Sequence, residues 1–409
     1  MLTGTNLTHA KAFNLRIVRE TIRLFGPISR ADIARRSGLT AQTVSNLTKE
    51  LIDQNLVVEA ERRQEGRGAP STALAINPRG GFAIGLDFDR DHLTGVLMDL
   101  AGTVHQQIAY ELDAPAPGEA LDRLEATARD LLAAEGLAPE AVWGVGIGVP
   151  GPMHAGPNGS YVVSPKAFSG WHDVPVADQL RERLGLPVVL ANNATAAAIG
   201  ERWFGAAQHI PTFFYAYFGS GLGGGLFLQG SPYEGHTGNA GEVGFLPMTA
   251  LHAGTDIAHV GVAFNLPRLY ERLRAAGREA HTPADLGRLF DAGDAVLAGW
   301  LAEGAERMAW LMLSVEYLLD PQAVFFGGRL PANLLEALRA GVVAAMPDRR
   351  IEGAFTAPQY LLATAGADAA ALGVATLPIY ELSAPAHKVL LKRSGDGADE
   401  PAATAAPAG

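Results

Sequence analysis

The chain has 409 residues, 48% of them hydrophobic, and a formal net charge of −11. That length and apolar content support two or three domains with cores of their own, and the absence of cysteine excludes disulfides, a thiolate metal site and a cysteine nucleophile. No uninterrupted apolar run reaches the roughly 18 residues of a membrane span, and the N-terminal stretch lacks the apolar core of a signal peptide, so a cytoplasmic protein without a membrane partner is expected.

Charge is unevenly divided. Residues 1–80 hold 12 Lys+Arg and 7 Asp+Glu, a net of +5, while the remainder holds 20 and 36, a net of −16. A basic head on an acidic body fits contact with a polyanion; a solvated helix face would produce the same count. In the head, Leu15, Val18, Ile22 and Phe25 recur on one face of a helix that Gly26-Pro27 ends. Ser29 can cap a second short helix that Gly38 stops, and Thr40 a third whose buried stripe is Val44, Leu47 and Leu51. Two short helices joined by SGLT fit a helix-turn-helix. The third helix would present Gln42, Thr43, Ser45, Asn46 and Lys49 away from that stripe. Amides can pair with adenine edges, and hydroxyls with bases or phosphates. LVVEAE and STALAINP then predict two strands of a wing. Its tip, RRQEGRGAP, carries Arg67 between two glycines, suited to a narrow minor groove. With Arg30 and Thr40, these form the predicted DNA-contacting set.

From residue 81 the pattern changes. FAIGLDFD, HLTGVLMDL and TVHQQIAYEL predict three consecutive strands, followed by the helix DRLEATARDLLAAEG and the buried strand AVWGVGIGVPGP. PVVLANN is a strand leading into the small-residue helix ATAAAIGERWFG, with Asn192-Asn193 at the junction. Polar pairs at the C-terminal end of such a strand are where open α/β proteins place ligand chemistry. A second series starts with TFFYAYFGSGLGGGLFLQG and closes with helices around 301–319 and the strand AVFFGG, implying a two-lobed α/β body. GSGLGGG contains G-x-G-x-x-G, but both its flanks are strands. A dinucleotide fingerprint needs a helix after it, so a tight turn is the better reading. In GHTGNAGEVGFLPM, Glu242 is the only charged residue; it suits either ligand hydroxyls or a surface turn. The tail from 388, rich in Ala, Pro, Gly and charge, is expected to be disordered.

Taken in order, SRADIARRSGLTAQTVS, GRGAPSTALAINP, GIGVPGP, ANNATAAAIGE, GSGLGGG, NAGEVG and FFGGRL resemble the ROK family of repressors, open reading frames and sugar kinases, from about residue 12 to 385. The resemblance implies a winged helix-turn-helix over 1–80 and a ROK sugar-kinase-like body over 81–387. That body would have a two-lobed actin-like ATPase (ribonuclease H-like) fold with sugar in its cleft. It also implies regulators that bind double-stranded DNA as dimers or tetramers and answer to a sugar or sugar phosphate. Sugar contacts carry over to Asn192, Asn193 and Glu242, with Phe245 lining the same pocket. SPKAFSGW, with Lys166, is a further candidate segment.

Three departures stand out. Family kinases carry Asn-Asp where this chain has Asn192-Asn193, and the missing Asp is their general base. Their Asp-x-Gly-Gly-Thr phosphate loop is replaced by Asp87-Phe88-Asp89-Arg90-Asp91, where bulk and acid oppose phosphate. Phe245 stands at a zinc-ligand position and no cysteine follows; His252, Asp256 and His259 are a poor substitute, so neither metal nor other cofactor is expected. The expected function is a sugar-responsive regulator, a repressor, of carbohydrate genes that reads an inverted repeat and has no kinase activity. An active kinase with a DNA-binding head, and a regulator controlled by a protein partner, remain as alternatives.

Overall fold

The computed structural model describes residues 7–63, 71–156, 161–163, 168–247, 259–346, 350–351 and 356–383. Arg67, Lys166, His252, Asp256 and the tail from 388 lie outside the described residues. Two compact units divide the chain. One is Gly81–Ile379; the other holds the described residues up to Gly80 together with Tyr380 to Ser383.

The first unit runs α1 (Leu7–Phe25), β1 (Ile28–Ser29), α2 (Arg30–Ser37), α3 (Ala41–Asp53), β2 (Val57–Arg63) and β3 (Ser71–Ile76). Its boundaries follow from local chemistry. The Ser29 hydroxyl accepts the Asp32 N–H at 3.2 Å to start α2, and Gly38 ends it at φ 71°. Thr40 accepts the Thr43 N–H at 3.2 Å to start α3. Val18, Ile22, Ile33, Val44, Leu47 and Leu51 are buried, so the 3.6-residue periodicity located the core. Phe25 departs from that expectation and is 42% exposed. It sits in the last turn before Gly26, beyond the core, and the Arg36 guanidinium covers its ring at 4.0 Å. The strands form an antiparallel sheet in the order β1-β3-β2, completing a winged helix.

The second unit begins with β4 (Phe82–Phe88), β5 (His92–Asp99), β6 (Val104–Glu111), α4 (Pro117–Ala134) and β7 (Val142–Val149). It continues with β8 (Met153–Ala155), β9 (Tyr161–Val163), α5 (Val176–Leu184), β10 (Val188–Asn192) and α6 (Asn193–Phe204). The second half holds β11 (Phe213–Phe218), β12 (Leu222–Leu228), β13 (Ser231–Pro232), α7 (Val260–Ala263), α8 (Leu266–Ala275) and α9 (Pro283–Asp291). It closes with α10 (Ala295–Leu319), β14 (Ala323–Gly328), α11 (Ala332–Ala345), β15 (Gln359–Leu362) and α12 (Ala369–Ser383).

Two five-stranded sheets result, ordered β10-β7-β4-β5-β6 and β13-β12-β11-β14-β15. Each joins three parallel strands to an antiparallel run, so one plan is used twice and the unit has two lobes. Each lobe has its own apolar core, one around Leu86, Leu124 and Ile147, the other around Phe326, Met312 and Leu338.

The small residues of α6 find their reason in packing. A Cβ on Gly200 would meet the Ala369 carbonyl at 2.0 Å, and one on Gly373 the Ala196 carbonyl at 1.9 Å. Helices α6 and α12 therefore cross backbone to backbone. Glu201, fully buried in α6, accepts the N–H groups of Ala206 at 2.7 Å and of Thr364 and Ala365 at 2.9 Å each. This carboxylate ties α6 to the turn after β15.

Candidate ligand cleft and nucleic-acid interface

The carboxyl ends of β4, β7, β10 and β11 open onto a cleft of ≈490 Å³ between the two lobes. Asn192 ends β10 and caps α6; its Oδ1 accepts the Ala194 N–H at 2.8 Å. That bond fixes the amide so that Nδ2 points across the cleft, where it donates to Glu242 Oε1 at 3.1 Å. Burial raises the Glu242 carboxyl above its ordinary value. Gly151 makes the pair possible, because a Cβ there would lie 2.0 Å from Glu242 Oε1 and 2.9 Å from Asn192 Nδ2. Phe245, 41% exposed, lines the cleft beside His259, whose Nδ1 lies 2.7 Å from the Phe245 carbonyl. Asn192, Asn193, Glu242 and Phe245 thus line one cleft.

Asn193 opens α6 and is 4% exposed. Its Nδ2 donates to the Phe88 carbonyl at 3.1 Å, while its Oδ1 is buried without a hydrogen-bond partner. Asp87 Oδ1 is likewise buried and unpartnered. The two oxygens flank Gly148, lying 3.1 and 3.2 Å from where its Cβ would be. An amide is neutral, so Asn193 adds no second charge beside the Asp87 carboxyl.

The segment expected to oppose phosphate behaves differently residue by residue. Phe88 does not crowd the cleft. Its ring is fully buried in the lobe core, stacked on Trp171 at 5.3 Å and edge-on to Phe168 at 6.2 Å, because alternation along β4 turns it inward. Asp89 and Arg90 do line the cleft. Asp89 Oδ1 accepts the Arg90 N–H and the Ser220 hydroxyl, each at 2.6 Å. Burial, reinforced by Asp91, pushes the Asp89 carboxyl up to about 6. Beneath it, His92 sits between Asp87 (3.2 Å) and Asp91 (2.7 Å). Hydrogen bonds to these two acids overcome burial and push the imidazole up to about 10, so it is a cation at neutral pH. Asp89, Asp91 and His92 have ligand-type atoms within 4.8 Å of one another. Both nitrogens of His92 are already engaged, so the cluster reads as an internal ion network.

GSGLGGG is the turn between antiparallel β11 and β12. Its later glycines serve helix packing: a Cβ on Gly225 would meet the Ala194 carbonyl at 2.4 Å and one on Gly223 the Ala194 Cβ at 2.9 Å. They let α6 lie on β12 and carry Asn192 and Asn193 to the cleft. Sequence reasoning missed Asn265 and Arg268 of the α8 start, which also line it. The Asn265-Leu266-Pro267 pattern, a cap followed by an early proline, was the available signal.

In the first unit, Thr40 at the cap of α3 and Gln42, Ser45, Asn46 and Lys49 along it are exposed, and Thr43 is half-buried. Gln42 Nε2 donates to Asn46 Oδ1 at 3.1 Å, so the two amides are ordered together. The Arg30 guanidinium donates to Thr48 Oγ1 at 3.1 Å and to Glu59 at 3.3 Å, tying α2 to α3 and β2.

Residues 83–380 match the ROK family and residues 7–68 the MarR family. The chain belongs to the ROK family, with a MarR-type winged helix at its N-terminal end. It is 31% identical over 239 residues to the xylose repressor of Bacillus spizizenii, a match spanning 58% of this chain and 61% of that repressor. The crystal structure of a ROK family transcriptional regulator, a homologue of the E. coli MLC protein, superposes with a TM-score of 0.70 at 22% identity, covering 91% of this chain and all of that one. The ROK hexokinase of Thermus thermophilus is similar at a TM-score of 0.55 and 26% identity, over 72% of this chain and 96% of the hexokinase. The two-lobed body is therefore the actin-like fold shared by ROK regulators and sugar kinases. No helix among the described residues is long and apolar enough to cross a membrane.

Proposed function

We propose that this chain is a cytoplasmic, sugar-responsive DNA-binding repressor that does not phosphorylate its ligand. The observation that carries the reading is Asn193. It occupies the position of the general base in family kinases, and its amide is committed to the Phe88 carbonyl at 3.1 Å. An amide has no proton affinity near neutral pH, and loss of a general base costs about 10²–10⁴ in rate. Binding needs only hydrogen bonds, which Asn192 and Glu242 supply.

Across the cleft these two bond each other. A sugar hydroxyl entering there exchanges that bond for its own. Binding thereby favours one arrangement of the lobes to the extent that it contacts the two arrangements differently. A coupling of about 1–3 kcal/mol to DNA affinity is ordinary for such systems. The winged helix reads an inverted repeat as a dimer, with α3 in the major groove, Gln42 and Asn46 on base edges, and Arg67 in the minor groove.

The test is a selection of genomic fragments by the purified protein at roughly physiological salt, followed by release with sugars that the neighbouring genes suggest. A discrete inverted repeat is expected, released by sugar from the wild type but not from Glu242→Ala, which keeps basal DNA binding. Only salt-sensitive binding to every fragment would sink the regulator reading. Sugar-dependent ADP release above background would sink the loss of kinase activity.

A further inference from the structure

Beyond ligand recognition, the far end of the cleft carries contacts of its own between the lobes. Asp89 belongs to the β4–β5 turn of one lobe and Ser220 to the β11–β12 turn of the other; their 2.6 Å hydrogen bond spans 131 positions of sequence. Arg329, just after β14, reaches Glu111 at the end of β6 at 3.5 Å, a second link between the same lobes. Asp89 is 3% exposed where the two turns meet.

We propose that Asp89 and Ser220 form a proton-sensitive latch that sets how far the two lobes close. Parting the lobes would expose Asp89 to water and remove the Ser220 hydroxyl from it. The groups acting on Asp89 are Arg90 and Asp91 in its own turn, His92 on β5 and Ser220 in the opposing turn; Tyr217 on β11 feels Asp89 together with Asp87, Asp91 and Arg329. The field of Asp91 and Arg329 extends to Tyr270 on α8. His92 stays cationic and Asp91 anionic between pH 5 and 8, because they bond each other. Tyr217 stays neutral, since burial raises its hydroxyl well above the ordinary value. Asp89 titrates within that range, at about 6 when closed against an ordinary 3.8 when solvated.

The closed arrangement therefore binds a proton more tightly than the open one, and closure is favoured as pH falls through about 6. Linkage with these two values gives a roughly fourfold rise in the closed-to-open ratio between pH 7 and pH 5.5.

The chain has no cysteine, so Glu119→Cys and Arg274→Cys on the two lobes would be unique dye positions for single-molecule energy transfer on the full-length protein. The measurement needs neither sugar nor DNA, so its outcome is separate from that of the regulator reading. The closed population should rise about fourfold from pH 7 to 5.5. Asp89→Asn, neutral and of the same shape, should hold the closed fraction constant over that range. Ser220→Ala should lower it at both pH values while the fold, followed by thermal melting, survives. A pH-independent wild-type distribution overturns the proposal. So does a pH dependence that survives Asp89→Asn, which would place the titrating group elsewhere, Glu242 included.

Discussion

Asn193 is an amide for a structural reason as well as a chemical one. Its Oδ1 and the buried Asp87 Oδ1 share the space over Gly148, and its Nδ2 satisfies the Phe88 carbonyl. Asn193→Asp would set an acceptor against that carbonyl and a second charge near Asp87. The substitution should destabilise the second unit by about 3 kcal/mol at pH 7, since an unpaired buried charge is costly. The new carboxyl would have a raised folded-state value, so the penalty is absent below about pH 4 and grows as pH rises. All five tryptophans lie between Trp143 and Trp310, so urea unfolding followed by tryptophan fluorescence reports this unit alone. His92 obeys the same rule with a different partner set. Its folded-state value, about 10 against an ordinary 6.5, means its stabilisation is fully present below about pH 6.5 and is lost as pH rises through 10. His92→Gln should be less stable at pH 7 and should lack that alkaline slope, which unfolding between pH 6 and 10 would reveal.

At the scale of elements, close backbone approach organises the second unit. Helix α12 lies directly on the first sheet: a Cβ on Gly146 in β7 would be 1.8 Å from the Val374 carbonyl, and one on Gly85 in β4 2.1 Å from the Ala371 carbonyl. Backbone cannot swing aside as a side chain can. Gly146→Ala should therefore cost about 3 kcal/mol, the upper part of the range for overpacking. Gly118→Ala in α4, where nothing lies within 4 Å of the new methyl, should be neutral or stabilising, as alanine is the better helix former. Thermal melting of the two variants side by side checks the contrast. The same logic governs the glycines of β12, which seat α6.

At the scale of the molecule, charge separates the two units. The head carries +5 and the rest −16, so binding of the full chain to DNA should weaken steeply with salt through phosphate contacts made by the head. Lys49, exposed on α3, should contribute one such contact. Lys49→Gln is expected to weaken binding about equally on all sequences and to reduce the slope of log K against log salt by about 1. A titration at several salt concentrations would test both. An unchanged slope would take Lys49 out of the interface.

Much of this was legible in the residues because local physics does not depend on partners. Caps at Ser29 and Thr40, the stop at Gly38 and the apolar period of α3 specify the winged helix through bonds spanning three or four residues. Strand and helix alternation in the body, and Asn192-Asn193 at the β10–α6 junction, follow from patterns of similar range. Tertiary structure alone decided that Glu242 reaches Asn192 from 50 residues away, that Phe88 turns into the core rather than the cleft, and that Asp89 meets Ser220 across 131 positions. Those outcomes depend on how two sheets face each other around crossing helices, a geometry set by the summed packing of many distant residues and written in no single stretch of the chain.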